Sequence, residues 1–308
     1  MPIKILENIS LANYTTFRIG GPARYFAVAQ NKDELAEAIR WAKEKNRPFF
    51  VLGGGSNFLV SDEGFGGLAI KMENTDIKIE NDNEKCKIGC GAGTPFSRVI
   101  IETAKSGYSG AEWGFGIPGT IGGAICGNAG RLGQDISQIV ESVKILDAEF
   151  NEKELSNKEC EFAYRESRFK KTGEIILEAV LFFVKKEQAA INEVLNQAKE
   201  VVKQSPPFPS AGCAFKNYKL KPDDILLEKH PELSGRARDG KIGVGFLIDQ
   251  CGLKGKQIGG AKIWEGHANY IINAGGAKAA DVLALIKLAK EAVKEKYGIG
   301  LEEEIRIL

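Results

Sequence analysis

Histidine and methionine are scarce, with two of each in 308 residues. The six cysteines stand at 86, 90, 126, 160, 213 and 251. None forms a Cys-x-x-Cys pair, so a zinc site is poorly supplied. A disulfide framework is not expected in a reducing compartment. An excess of one charge is also missing: 42 Lys+Arg face 41 Asp+Glu. That balance argues against a polybasic nucleic-acid or membrane-surface protein. No apolar run reaches the ~18 residues of a membrane span. Met1 to Ile9 lacks the basic-then-apolar pattern of a signal peptide. The expectation is a cytoplasmic enzyme with no nucleic-acid partner, no membrane insertion and a monomeric state. At ~100–200 residues per domain, the chain has room for two or three domains.

Glycine is in excess, 36 residues, against an average near 7%. The glycines are clustered rather than periodic, which excludes collagen-like and low-complexity chains. Clustered glycine marks a backbone that turns tightly or approaches something closely.

The organisation reads as follows. Asn31 and Glu34 resemble a capping box, and Leu35, Ala38, Ile39 and Ala42 form a helical stripe ended by Asn46 and Pro48. The apolar strand Phe49–Leu52 runs into Gly53-Gly54-Gly55-Ser56-Asn57. Alternating runs follow at 68–72, 77–79 and 86–90, then a helix near 97–105 and strands at 142–147 and 175–184. Cys86 and Cys90 read as small hydrophobes of a strand. A helix over 190–204 carries Ile191, Val194, Leu195, Ala198, Val201 and Val202 on one face. The Pro-rich stretch 205–210 cannot continue it and reads as a linker. The last segment ends in a helix over 280–297 with Gly298 as its C-cap, and alternation over 304–308 predicts a final strand.

Five features carry chemistry. Gly53–Asn57, at the carboxyl end of a strand, is a backbone nest suited to a phosphate or pyrophosphate; a plain tight turn competes with that reading. It is no Walker loop, because no Gly-Lys-Ser/Thr follows. Nor is it the dinucleotide fingerprint, because Phe58 holds the place of the third Gly. Gly114 to Gly130 places seven glycines in 17 residues. Such a stretch suits a large flat ligand, or a buried packing crossover. The two clusters together fit FAD. Tyr164-Arg165-Glu166-Ser167-Arg168 puts two arginines beside an aromatic, as for a carboxylate partner or a surface ion-pair network. Cys213, among small residues, is a candidate general acid or nucleophile, or a small buried hydrophobe. The acidic residues 302–304 lead into the final strand, where such residues are usually solvated; one placed inward would be a candidate acid or base.

In this order the segments closely resemble the UDP-N-acetylenolpyruvoylglucosamine reductase family (UDP-N-acetylmuramate dehydrogenases), in its shorter second type. The resemblance rests on 13–21 (NYTTFRIGG), 52–59 (LGGGSNFL), 116–130, 164–170 (YRESRFK), 212–217, 247–260 (LIDQCGLKGKQIGG), 267–273 (HANYIIN) and 301–307. It implies an α+β fold with an FAD-binding domain of the vanillyl-alcohol-oxidase/PCMH type in two subdomains, 1–66 (completed by a C-terminal strand, 301–308) and 67–205. An α/β substrate-binding domain would span 206–300.

The implied cofactors are FAD and NADPH, with hydride passing through flavin N5 to C3 of UDP-GlcNAc-enolpyruvate and a proton reaching C2. By resemblance, FAD would be held by Gly53, Gly54, Gly55, Ser56, Asn57, Gly116, Pro118, Gly119, Thr120, Gly122 and Gly123, with Asn128, Ala129 and Gly130 beside the flavin. Arg165 and Glu304 would bind and polarise the substrate carboxylate, and Tyr164, Lys216, Asn217 and Arg306 would contribute to substrate binding. The family's proton donor is usually Ser in Gly-Ser-x-Phe; here that position is Cys213. Asn217-Tyr218 replaces a frequent Asn-Pro, which bears on the local loop shape. The alternatives are another FAD-dependent oxidoreductase of the same superfamily, or a catalytically silent nucleotide-binding module.

Overall fold

Where a polar cap precedes an apolar stripe, the chain is helical. Asn31 accepts the N–H of Glu34, and the helix Lys32–Glu44 buries Leu35, Ala38, Ile39 and Ala42. The computed structural model describes residues 3–221 and 225–308. It divides into two compact units. One comprises Met1–Ile9, Ala23–Gly54 and Gly66–Lys203; the other comprises Ser10–Pro22, Gly55–Phe65 and Gln204–Leu308.

The first unit holds a four-stranded sheet in the order Leu6–Ser10, Pro22–Ala29, Phe65–Met72, Phe49–Leu52. Its last two strands are parallel, with Phe49 opposite Leu68 and Leu52 opposite Lys71. A second, antiparallel sheet runs Glu152–Ser156, Val140–Leu146, Ile175–Lys185, Lys85–Gly91, Ile77–Asn81. Along Lys85–Gly91 the side chains of Cys86, Ile88 and Cys90 are buried at period two. All six cysteines are free thiols, and burial pushes the Cys90 thiol up to about 12, so it behaves as a hydrophobe. The helix Phe96–Lys105 buries Phe96, Val99 and Ile100, and Phe96 meets Trp113 edge-on at 5.6 Å. The helix Gln188–Lys203 buries only Ile191 and Ala198 of its apolar face. Val194, Leu195, Val201 and Val202 stay half-buried.

In the second unit an antiparallel sheet runs Ser210–Cys213, Tyr270–Asn273, Ala261–Ile263, Gln257–Ile258. The helix Ala279–Tyr297 buries Val282, Leu285, Ile286, Ala289 and Val293 in the same core and ends at Gly298 in the left-handed conformation. Its first turn is capped from far away in sequence. Both carboxylate oxygens of Asp62 accept its N–H groups, from Ala279 at 2.8 Å and Ala280 at 3.0 Å. A small ribbon of Tyr218–Lys219, Lys241–Ile242 and Ala237–Arg238 begins directly after Asn217.

The expected strand over 304–308 is shorter than its alternation implies. Only Arg306–Ile307 pairs as a strand, parallel to Phe58–Leu59. Upstream the chain faces a different partner: Phe215 bridges to Glu303, and the N–H of Glu304 goes to Ala214. The switch of partners around buried Ile305 prevents one continuous ladder. No helix among the described residues is long and apolar enough to cross a membrane.

Candidate active site

In the first unit the parallel strand Phe49–Leu52 delivers Gly53 and Gly54 to its carboxyl end. Their N–H groups find no acceptor among the described residues. The carbonyl of Gly53 accepts from the Lys71 ammonium at 2.6 Å, and burial pushes the Lys71 pKa down. A cleft of about 750 Å³ opens here, lined in part by Asn31, Gly54, Lys71, Thr75, Gly119 and Thr120.

The second glycine cluster divides by what each residue faces. A Cβ on Gly54 would stand 2.5 Å from the Cα of Gly119, so these two backbones touch and only glycine fits. Gly116 and Gly122 likewise clear Val202 and Ala92. The N–H groups of Ile121, Gly122 and Gly123 are already spent on Thr94, Ala92 and the Thr120 side chain. The cluster's donors at 121–123 are therefore internal, and much of it is a packing crossover. Gly123 differs: it is exposed, and an added Cβ would meet only Thr120 Oγ1, at 3.6 Å. Gly116 and Pro118 are also exposed.

The helix Ile121–Cys126 leads into Asn128, which is buried at φ +40°. Its side chain donates to the carbonyl of Ala163 at 2.9 Å. Ser167 Oγ, also buried, donates to the carbonyl of Cys126 at 2.7 Å. These bonds fasten a tight turn in which Ala163 and Glu166 exchange both backbone hydrogen bonds around Tyr164 and Arg165. Arg165 takes φ +58°, a conformation costing a non-glycine residue about 1–2 kcal/mol. Such strain persists where the surroundings over-determine it. The guanidinium donates to the carbonyl of Gly130 at 2.7 Å and lies 5.3 Å from the centre of the Tyr164 ring. Asn128, Ala129, Gly130, Tyr164 and Arg165 are thus brought together. Arg168 is held by Glu174 through two bonds of 2.9 Å, the ion-pair alternative.

In the second unit Gly55 accepts the N–H of Thr16 at 3.1 Å, and Thr16 Oγ1 donates to Ser210 at 2.7 Å. Ser56 is half-buried beside it. Asn57 is a clamp on the chain end: its side chain donates to the Glu304 carbonyl at 3.0 Å, and its own carbonyl accepts the N–H of Arg306 at 2.9 Å. Half-buried Cys213 closes the strand Ser210–Cys213. The residues after it run against 302–304, with the N–H of Glu304 donating to Ala214 at 2.8 Å and that of Lys216 to Glu302 at 2.9 Å. The backbone that follows Cys213 and the backbone at Glu304 are therefore neighbours. The Lys216 ammonium pairs with Glu302 at 2.5 Å. Asn217 Oδ1 accepts the N–H of Val244, at the start of the helix Val244–Gln250. Arg306 lies 5.3 Å from the Phe58 ring centre and is exposed. His267 keeps one side in solvent, but its ring packs on Gly245 and Tyr270, and that desolvation pushes its pKa down. Its Nδ1 accepts the N–H of Asn269 at 3.2 Å, within the same loop.

Comparison with known proteins gives the setting for these residues. The description "UDP-N-acetylenolpyruvoylglucosamine reductase, C-terminal domain" matches residues 202–308, and "FAD binding domain" matches 23–150. The chain is 38% identical over 308 residues to the UDP-N-acetylenolpyruvoylglucosamine reductase of Bacillus velezensis, covering 99% of this chain and 94% of that one. It is 36% identical to the enzyme of that name from Chlamydia muridarum, covering 100% and 95%. The crystal structure of the reductase from Thermus caldophilus superposes with a TM-score of 0.78 at 30% identity, over 100% of this chain and 99% of the other. A VAO-type flavoprotein from Myceliophthora thermophila shares the fold, with a TM-score of 0.50 at 12% identity over 89% and 70%. The fold is thus an α+β arrangement containing an FAD-binding domain of that type. The two unspent N–H groups at Gly53 and Gly54 and the open face of Gly123 fit such a cofactor, since they offer donors to an anionic group and clearance to a flat one.

Proposed function

The chain belongs to the UDP-N-acetylenolpyruvoylglucosamine reductase family, and from that premise we propose that it reduces UDP-N-acetylglucosamine enolpyruvate to UDP-N-acetylmuramate with NADPH, in cytoplasmic peptidoglycan synthesis. FAD, when bound, supplies the hydride relay between NADPH and C3 of the enolpyruvyl group. Gly53 and Gly54 would give its pyrophosphate two donors, and the exposed face of Gly123 would leave it room. Asn128, Ala129 and Gly130 would stand by its ring system.

The remaining steps fall to side chains. Arg165 would bind the substrate carboxylate through charge-assisted bonds. Its carbonyl-anchored guanidinium needs little reordering to do so. Glu304, in its protonated form, would donate to the same carboxylate as negative charge develops there. The thiol of Cys213 would give its proton to C2, forming the C–H bond as the S–H bond breaks, and the thiolate would recover a proton from solvent. A thiol, with an ordinary pKa near 8.5, is still mostly protonated at neutral pH and is a far stronger acid than an alcohol. Tyr164, Lys216, Asn217 and Arg306 would contribute to substrate binding.

The observation that supports the reading is the antiparallel run of 214–216 against 302–304, which brings the backbone at 213 within one residue of the Ala214–Glu304 pair. The test uses purified protein without oxygen. Flavin absorbance should bleach with NADPH and return on adding the enolpyruvyl sugar nucleotide. Bleaching without that return would point to another FAD-dependent oxidoreductase, and no bleaching to a silent nucleotide-binding module.

A further inference from the structure

The segment 267–273 (HANYIIN) contains a residue that acts on the proposed proton donor from behind. Asn269 is 2% exposed, and its side chain is used up on the backbone of a single residue. Oδ1 accepts the N–H of Phe215 at 3.0 Å, and Nδ2 donates to the carbonyl of Phe215 at 2.8 Å. The main-chain carbonyl of Asn269 takes the N–H of Ala214 at 2.7 Å. Its own N–H rests on His267 Nδ1.

These bonds stand where the sheet is interrupted. Ser210 pairs with Ile272 and Cys213 with Tyr270, with a register shift between them, and Gly212 takes φ +80°. Such a bulge re-aims the side chain beside it and weakens the ladder that fixes register. The Asn269 side chain restores what the ladder loses, acting as one more peptide unit along that edge. On the other edge, Ala214 and Lys216 meet Glu304 and Glu302. Cys213 is therefore followed directly by Ala214, bonded on both sides, and by Phe215, whose N–H and carbonyl are both held by Asn269.

We propose that Asn269 is a positioning residue, which holds the strand after Cys213 in register with Glu302–Glu304 and so fixes the offset between the Cys213 thiol and Glu304. The inference rests on the reading of Cys213 as the proton donor. Without the amide, Phe215 keeps a buried N–H and carbonyl with no side-chain partner, and the strand shifts to find others. A displacement of about 1 Å at a reacting group can cost about 100-fold in rate.

The experiment is single-turnover kinetics on holoenzyme without oxygen, with NADPH for reduction of the flavin and the enolpyruvyl sugar nucleotide for its reoxidation. Asn269→Ala should leave reduction unchanged and slow reoxidation about 100-fold. In a Cys213→Ala background the same substitution should cost nothing more, because the two act through one group. Hydrogen exchange gives a readout independent of turnover: the amides of Ala214 and Phe215 should lose protection while the helix Ala279–Tyr297 keeps its own. Asn269→Asp keeps the acceptor for the Phe215 N–H but turns a buried carboxylate oxygen toward the Phe215 carbonyl, so its loss should be at least as large; Asn269→Ser, uncharged and hydroxyl-bearing, serves if Asn269→Ala does not fold, and its loss should be smaller and confined to reoxidation. Losses that add in the double variant, equal slowing of both half-reactions, or unchanged exchange at Phe215 would overturn the positioning role. Reoxidation at the wild-type rate in Cys213→Ala alone would instead remove the premise.

Discussion

Gly123→Ala adds one methyl group at an exposed point where the folded chain has room for it. The new Cβ would meet only Thr120 Oγ1, at ordinary contact distance, 3.6 Å. Gly123 lies in the helix Ile121–Cys126 with no positive φ to forbid alanine. Glycine inside a helix costs about 0.5–1 kcal/mol relative to alanine, so the apoprotein should gain about that much. With a urea slope near 3 kcal/mol/M, the unfolding midpoint should rise by about 0.2–0.3 M. Cofactor binding should move the other way. If the open face of Gly123 is where FAD lies, the methyl overpacks the complex by about 1–3 kcal/mol. That is about a 5- to 150-fold rise in Kd. The control is Gly54→Ala, whose Cβ falls 2.5 Å from the Cα of Gly119 and 3.2 Å from its carbonyl carbon. Backbone cannot step aside cheaply, so this variant should lose both fold stability and FAD. Urea titration of apoprotein and fluorescence titration of FAD separate the two effects. A Gly123→Ala protein that binds FAD as tightly as the parent would refute the assignment of that face to the cofactor.

The other expectations concern single groups. Cys213→Ala should leave flavin reduction by NADPH normal and slow reoxidation by substrate at least ~100-fold, the lower range for general acid catalysis; stopped-flow absorbance reads both, and an unslowed reoxidation denies Cys213 the proton. Mild peroxide should inactivate the parent but not Cys213→Ser, since only the thiol can climb to sulfenic and higher acids; equal inactivation would place the lesion elsewhere. Asp62→Ala should cost about 1–2 kcal/mol by uncapping two N–H groups of the helix Ala279–Tyr297, and Asp62→Asn an intermediate amount, since its amide keeps one acceptor of the two; no loss in Asp62→Ala in denaturant titration would contradict the capping role. The Lys153 ammonium, with the Asn151 N–H, holds the Asp147 carboxyl at about 2. Because the folded value lies below the ordinary one near 3.9, its stabilisation is present above pH ~4 and fades as pH falls through ~4 to ~2. The stability gap between parent and Asp147→Asn should close over that window, and a gap independent of pH would count against it.

Amphipathic order was legible wherever one element buries one face. The Leu35-Ala38-Ile39-Ala42 stripe and the Cys86-Ile88-Cys90 alternation are buried as their spacing requires. The C-terminal helix ends at Gly298 with φ +71°, as its place after Tyr297 predicts. The chain end was less legible. Alternation over 304–308 specifies which side chains point together, but not that the backbone leaves the segment 214–216 for Phe58–Leu59 midway. That change depends on partners about 90 and 250 residues away in sequence. The glycine clusters carried a similar ambiguity. Gly54, Gly116 and Gly122 clear the protein's own atoms, whereas Gly123 is exposed and has room for a Cβ. Both uses demand the same residue type, so composition cannot separate them.

Hydrogen bonds between distant amides were wholly invisible in the sequence, and they bear on the substitution at 213. Asn57 reaches the Glu304 carbonyl across 247 positions, and Asn269 grips Phe215 across 54. Neither spacing has a periodicity to betray it. Their effect is that the place of residue 213 is fixed by the backbone that follows it, through Ala214 and Phe215, and the place of residue 304 by its own N–H and carbonyl. A side chain carried on so constrained a backbone can change from hydroxyl to thiol without moving its Cβ. Such a change would alter the acidity of the proposed donor by several pKa units and its reach by a longer bond to carbon, but not its direction of approach. On that proposal, the position can take cysteine in place of serine with the surrounding hydrogen bonds unchanged. The same logic makes Asn269 less replaceable than the proposed donor, because no other side chain of its length offers an acceptor and a donor to one peptide unit at once.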